Sequence, residues 1–522
     1  MSKFCNQCGK TLMPNAKFCP GCGKSLAQNI NTPPTSSNVI KHEHNDNINS
    51  TLFVIPSYAF KILENIFKRK NLQNIKILSI DNPGLAHDKV RECLNTKNTN
   101  IKYICLIGNW DDLPPYRIPN PADSDFDQYC LNDSLYGSKE GFENNPLNCI
   151  PEIIVGRIPI VEEAIIENLL FSKFAFKKFN ESFYFSISAE CWLEATNAIL
   201  FNIAQKSFAN NLNPNVDKGS VDKGILSSPH WQEKNLSQYF NNYQPEMNSL
   251  LLFNVHGGAD TPEWVGESNQ REFIEIFKPD TIGDYNSSLL LTESCYGGAM
   301  QYETDSIVEN FFRNNGVSFI GSSTIAYGTP NDELCAADHI AQYFFENFDN
   351  GDSVGSALSK TKLQLLDESP IYQDITLKTI YSFNLFGAPW LSITNQLEKP
   401  QGSQSLLNSL RNNRHNNQAP SHALLSSLRE KYRSKLPKPL KQFWLEKDQA
   451  LQNLSTFRDF QKIKDISSKC GISIEELRMS ELKNDTSAGY KVMFNYKTEK
   501  FKKNLLIYTD KSGSLLKAFI SK

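Results

Sequence analysis

The chain has no uninterrupted apolar stretch of spanning length, no block of basic residues, and no apolar leader after Met1-Ser2-Lys3-Phe4-Cys5. The first absence excludes a transmembrane helix, which needs about 20 consecutive apolar residues. The second, with a net charge of −3, leaves no general case for nucleic acid or an anionic membrane as the main partner. The third argues against signal-directed export. Regularly spaced cysteines are scarce as well: of twelve, four form a pattern and the rest are scattered. Scattered thiols suit a reducing compartment, so a cytoplasmic protein is expected, with delivery into another cell by a signal-less route left open. What is present is a globular composition, 40% apolar and 21% charged, on 522 residues, enough for two to four domains.

The patterned cysteines are Cys5-x2-Cys8 and, ten residues on, Cys19-x2-Cys22, each pair followed by a glycine, Gly9 or Gly23. Two thiols three apart on a tight turn can face one ion, and the glycine permits the positive φ that the turn requires. Two such knuckles predict an all-thiolate tetrahedral zinc site over residues 1–24. Four protein ligands fill the shell, so this zinc is structural. The segment resembles the small zinc ribbons at the front of many microbial proteins, which implies a contact role. Residues 25–50 then read as a polar linker in which His42 and His44 are solvated.

From Thr51 onward apolar strands alternate with helical stretches: Leu52–Ile55, a helix over Tyr58–Lys70, Ile75–Ile80, a helix to about Asn95, and Tyr103–Ile107. A second set follows with Phe183–Ser188, a helix from Leu193, Leu250–Val255, Leu289–Thr292 and Val317–Ile320. This alternation predicts parallel sheet covered on both faces, in two α/β subdomains of about 51–180 and 181–395. Residues 396–423 form a second linker. Beyond it Leu424–Lys483 reads as mostly helical, broken at Pro437 and Pro439. Tyr490–Tyr496, Asn504–Thr509 and Leu515–Ile520 read as an antiparallel meander. This last α+β module suggests no function by itself.

Two strands of the second set end in His256-Gly257-Gly258 and Cys295-Tyr296-Gly297-Gly298. Chemistry in open α/β sheets collects beyond the carboxyl ends of strands. A thiol and an imidazole there, with glycines that admit a peptide backbone, are what nucleophilic attack on an amide requires. Cys295 is the expected nucleophile, and His256 the general base and acid. Glu293 lies two residues before Cys295 on the same strand face and offers a carboxylate to a guanidinium. His230, His339, Cys335, Cys191 and Cys149 lack a partner motif and receive no role.

The middle of the chain resembles the gingipain-type cysteine peptidases of the caspase-like clan. The likeness covers roughly residues 51–395. It rests on Leu106-Ile107-Gly108-Asn109-Trp110-Asp111-Asp112-Leu113-Pro114-Pro115, on Ser124-Asp125, and on Asp133-Ser134-Leu135-Tyr136-Gly137. Ile153-Ile154-Val155-Gly156-Arg157-Ile158-Pro159 and Asn384-Leu385-Phe386-Gly387-Ala388-Pro389 complete it, with the histidine before the cysteine. It implies a caspase-like sandwich of two subdomains and endopeptidase chemistry through a thioester acyl-enzyme. It also implies oxyanion donors at the N–H groups of Gly257 and Cys295, and Glu190 as the acid supporting His256; from the residues alone Glu190 reads equally as a solvated carboxylate at a helix N-terminus, and Asp260 and Glu263 compete for the supporting role. By the same resemblance Glu293 borders the pocket for the residue before the cut, predicting cleavage after Arg and less well after Lys; the alternative is a glutamate paired internally with a lysine or arginine. Trp264 is a candidate pocket wall and Glu194 a weaker acidic candidate.

The expected partner is a protein or peptide substrate, with a further protein contact through the ribbon or the C-terminal module; calcium is left open as a cofactor. Lys41, Lys399, Arg411 and Arg414 in the linkers are candidate self-cleavage points. Two alternatives stand beside the enzyme: a catalytically silent peptidase-like scaffold, and a ribbon-centred interaction protein. The ribbon's Lys3, Lys10, Lys17 and Lys24 give it only modest positive charge for binding nucleic acid.

Overall fold

Residues 46–393 and 440–522 are described by a computed structural model, apart from 97–99, 123–124, 143–144, 172–175, 177–183, 210–224, 229–248, 280–283, 286, 303–304, 368–369, 475–476, 484–486 and 498–501. Lys3–Phe4, Thr11–Leu12, Ser427 and Arg429 are described in addition. The four ribbon cysteines, His230, Ser124 and the four linker cleavage candidates lie outside the described residues. Two compact units result, Met1–Ile48 and Asn49–Lys522. In the first, Lys3–Phe4 pairs antiparallel with Thr11–Leu12, on either side of the first cysteine pair.

In the second unit, short Val-, Ile-, Leu- and Phe-rich runs become strands buried on both faces, as parallel sheets require. Ten form one sheet: β1 (Thr51–Pro56), β2 (Lys76–Ile80), β3 (Tyr103–Ile107), β4 (Ile154–Ile158), β5 (Tyr184–Ala189), β6 (Ile225–Ser228), β7 (Leu250–Asn254), β8 (Leu289–Thr292), β9 (Ser318–Ser322) and β10 (Phe383–Gly387). Their spatial order is β6-β5-β7-β8-β9-β10-β4-β3-β1-β2. Every neighbouring pair is parallel except β9 with β10. The predicted halves are therefore continuous, joined where β10 meets β4 through the single pair Phe386–Arg157. A Cβ on Gly156 would overlap the Gly387 carbonyl, so this seam closes only around glycine.

The motifs that carry the family resemblance meet at that seam. Arg157 is fully buried, and its guanidinium holds Asp133 with two bonds of 2.6 and 2.7 Å. Its remaining N–H groups donate to the carbonyls of Gly108, Asn109 and Leu113 at 2.8 to 2.9 Å. Asn384 accepts the Asp133 N–H and donates to the Leu131 carbonyl. A buried guanidinium is tolerable because every face of it is satisfied.

The C-terminal segment belongs to the same compact unit and differs in part from the expectation. Helices Lys447–Ser455 and Phe460–Cys470 are present. Leu477–Lys483, read from sequence as part of a helical stretch, is instead a strand, as is Lys441–Trp444. The reason is visible in the burial: Leu477 and Met479 alternate with exposed Arg478, a period of two that favours the pleat. The module strands are β11 (Lys441–Trp444), β12 (Leu477–Lys483), β13 (Ala488–Lys497), β14 (Lys502–Asp510) and β15 (Leu515–Ser521). They form an antiparallel sheet whose sixth member comes from the middle of the chain: Tyr327–Gly328 pairs with β15. Among the described residues no helix is long and apolar enough to cross a membrane.

Candidate active site

The chain enters β5, pairs outward with β6, then returns to the other side of β5 as β7, which makes the β5–β7 gap a topological switch point. Parallel register sets Phe253 of β7 beside Thr292 of β8. His256 and Cys295 each follow three residues later, so they leave the sheet side by side. A Cβ on Gly257 would overlap the Cys295 carbonyl oxygen, and one on Gly298 the Gly321 backbone. The two glycine turns thus let the loops touch through their main chains. Tyr296 holds a left-handed φ of 53°, which an ordinary residue adopts only under restraint. Its hydroxyl is anchored on Asp127 at 2.5 Å, and Asp127 in turn takes the Ile325 N–H and the Lys378 ammonium, which Asp125 shares.

Cys295 is 5% exposed, and its sulfur faces the Ala326 backbone, with N–H at 3.4 Å and carbonyl at 3.5 Å. Burial pushes the thiol up to about 12, so the sulfur rests protonated. His256 is equally enclosed. Its Nε2 lies 2.7 Å from Glu267, a residue on the strand Trp264–Glu267 that pairs antiparallel with His256–Gly257. Burial, reinforced by the Lys503 charge, lowers the imidazole to about 4. Burial opposes ionisation of Glu267, but the His256 bond and Lys503 outweigh it and hold the carboxyl at about 2. Ligand-type atoms of Cys191, His256 and Glu267 lie within 4.8 Å of one another. The positive charge at that cluster is already supplied by the Lys503 ammonium, paired with Glu267.

Next to the Cys295 main chain lies a buried acidic pair around the side chain of Lys522. Glu293 is fully buried, as is Asp338 in the first turn of the helix Ala336–Asp349. Between them sits the Lys522 ammonium, bonded to Glu293 and 2.5 Å from Asp338. The second oxygen of Asp338 is held by the Thr329 and Cys335 N–H groups. The Trp192 ring lies 5.4 Å from the ammonium and 4.3 Å from the His256 ring, forming a wall common to both. Gly328 lies against the lysine side chain, which a Cβ there would overlap. Burial pushes Glu293 upward, and Lys522 pulls against it; Lys522 itself is raised despite burial by the two carboxylates.

Of the residues expected from sequence, His256, Gly257, Glu293 and Cys295 converge. The carboxylate bonded to the imidazole belongs to Glu267, whereas Glu190, at the start of the turn Glu190–Trp192, accepts the Asn269 N–H at 3.3 Å. Asp260 is exposed on the turn after His256, Glu263 is half-buried and Glu194 is exposed. Trp264 is 2% exposed and packs against Phe253, Phe277 and Phe319. Missed from sequence were Trp192, Glu267, Asp338, Lys503 and Lys522. Only Glu267 carried a usable signal, standing on the strand that an apolar-glycine run after His256 turns back to form.

Residues 79–394, more than half of the chain, match the model of Peptidase family C25, and residues 4–26 match a zinc-ribbon domain. No curated protein matches. Among solved structures, the Arg specific cysteine proteinase gingipain R is 11% identical, with 90% of this chain and 97% of that chain covered and a TM-score of 0.47. The complex of RgpB pro- and mature domains from Porphyromonas gingivalis is 12% identical, covering 90% and 99%, with a TM-score of 0.45. With the family match spanning the strands that deliver His256 and Cys295, the chain belongs to the gingipain-type cysteine peptidases of family C25 and carries a zinc-ribbon domain in front.

Proposed function

We propose that the protein is a cysteine endopeptidase that cleaves after basic residues, in a reducing, cytoplasmic setting where its free thiols persist. The Cys295 thiolate attacks the scissile carbonyl, and His256 takes the thiol proton and returns it to the leaving amine. Water then resolves the thioester. With Nε2 engaged by Glu267, Nδ1 of His256 is the nitrogen that serves the sulfur, and Glu267 steadies the imidazolium as it forms. The Cys295 and Gly257 N–H groups receive the developing oxyanion. Glu190 keeps a supporting place at the loop that carries Trp192.

The observation that carries the specificity is the pair Glu293 and Asp338 around one ammonium. A buried site with two carboxylates rejects acidic and neutral side chains, because its own charges would be left unpaired. Reporter peptides differing only at the residue before the cut test this: Arg and Lys reporters are expected to turn over at least about 100-fold faster than an Asp reporter. Equal rates, or turnover surviving in Cys295→Ala, would refute it. In the ribbon, Cys5, Cys8, Cys19 and Cys22 supply the four thiolates of a structural zinc, and the antiparallel pairing of Lys3–Phe4 with Thr11–Leu12 supports a knuckle at the first pair.

A further inference from the structure

Substrates of a peptidase that reads one side chain in a deep pocket lie extended, pairing main chain to main chain along the cleft. Here that place is taken. Strand β15 lies antiparallel to Tyr327–Gly328, with Ser521 opposite Tyr327 and Ile520 opposite Gly328. The Lys522 N–H donates to the Ala326 carbonyl at 3.0 Å, and the Cys295 N–H donates to the Lys522 carbonyl oxygen at 2.9 Å. The lysine side chain then runs past Gly328 to the ammonium site between Glu293 and Asp338. Main-chain pairing, a carbonyl on an oxyanion donor and a basic side chain in the acidic pocket are the three contacts a substrate makes.

A second contact reaches the other half of the dyad. Lys503 on β14 pairs with Glu267, and its charge helps to keep His256 unprotonated. The module is fixed around these two lysines. Phe519, Tyr508, Leu506, Met493 and Leu482 share one buried apolar cluster with Cys295, Ile325 and Tyr327. Lys491 and the Tyr508 hydroxyl bind Asp374, and Arg271 donates to the carbonyls of Ser468 and Lys469 at the end of the helix Phe460–Cys470.

We infer that the C-terminal module is a built-in inhibitor: β15 and Lys522 occupy the substrate cleft in the manner of a basic substrate, and peptidase activity requires their departure. This rests on the proposed endopeptidase function and adds its regulation. The occupant is held by many weak contacts rather than a bond, so activation is a shift of population towards a state with β15 withdrawn. A partner that captures the module, or a cut between β14 and β15, produces that shift.

The test uses the full chain and its Lys522→Met, Lys522→Arg and Cys295→Ala variants, with circular dichroism as the folding control. Labelling by an Arg-containing peptidyl acyloxymethyl ketone and turnover of an Arg reporter are measured. Lys522→Met keeps the alkyl stem but loses the charge; it is expected to label and turn over at least about ten-fold faster than wild type. Lys522→Arg should stay as slow as wild type. Equal, readily measured rates in wild type and Lys522→Met would overturn the inhibitor while leaving the peptidase intact. The double variant Lys522→Met/Phe519→Asp removes the apolar anchor as well. Absence of label and turnover in it, with the fold retained, would overturn the peptidase function on which the inhibitor depends.

Discussion

At the scale of single residues, the resting site is electrically quiet. Cys295 is a thiol, His256 is a neutral imidazole, and Glu267 carries its negative charge against Lys503. The sign of the pH dependence follows. An unfolded histidine titrates near 6.5 while His256 titrates near 4, so between these values the unfolded chain binds the extra proton. The His256 contribution to stability falls as pH drops from about 6.5 towards 4, whereas Glu293, raised by burial, contributes in the opposite sense above about 4.5. Glu267, depressed from 4.5 to about 2, extends the loss below that range. The His256 part is read as a difference: from pH 8 to 4 the denaturation midpoint of wild type should fall relative to that of His256→Gln, and a constant difference would contradict the burial argument. Lys503→Met removes one of the three influences lowering His256, leaving desolvation and the Lys522 charge. Its imidazole resonance should titrate above that of wild type in an NMR titration.

At the scale of elements, the glycine-closed strands were the legible part. Buried apolar runs ending in His-Gly-Gly and Cys-Tyr-Gly-Gly announced the adjoining loops that carry His256 and Cys295, whereas β8 closes at Thr292, so Glu293 stands in the loop beyond it and not on a strand face shared with Cys295. Supporting groups were illegible because they arrive from elsewhere. Glu267 comes on a returning strand, Trp192 follows β5 about sixty residues before His256, and Asp338 opens a helix whose sequence reads as ordinary capping. Nothing local marks Lys522 or Lys503 among the many lysines of the chain. The seam between sheet halves was also unreadable, since one register pair and a buried ion pair close it. Arg157→Leu should cost about 3–5 kcal/mol, because Asp133 would keep its charge in the interior with no counter-ion. Chemical denaturation checks this, and a loss below about 1 kcal/mol would show that water reaches the seam.

At the scale of the molecule, the peptidase and the C-terminal module form one compact unit, while residues 1–48 form another. Stripping zinc with a chelator, or deleting residues 1–45, is therefore expected to leave Arg-reporter turnover by Lys522→Met within about two-fold of the untreated protein. A larger fall would tie the ribbon to the cleft. The apolar cluster that holds Cys295 together with Phe519 and Leu506 also covers the sulfur. Peroxide attacks thiolates, and a sulfur kept protonated under a hydrophobic cover is a poor target. If β15 inhibits as inferred, Cys295 is expected to resist peroxide while β15 is in place and to become oxidisable once it withdraws, which mass spectrometry of wild type and Lys522→Met after peroxide would show.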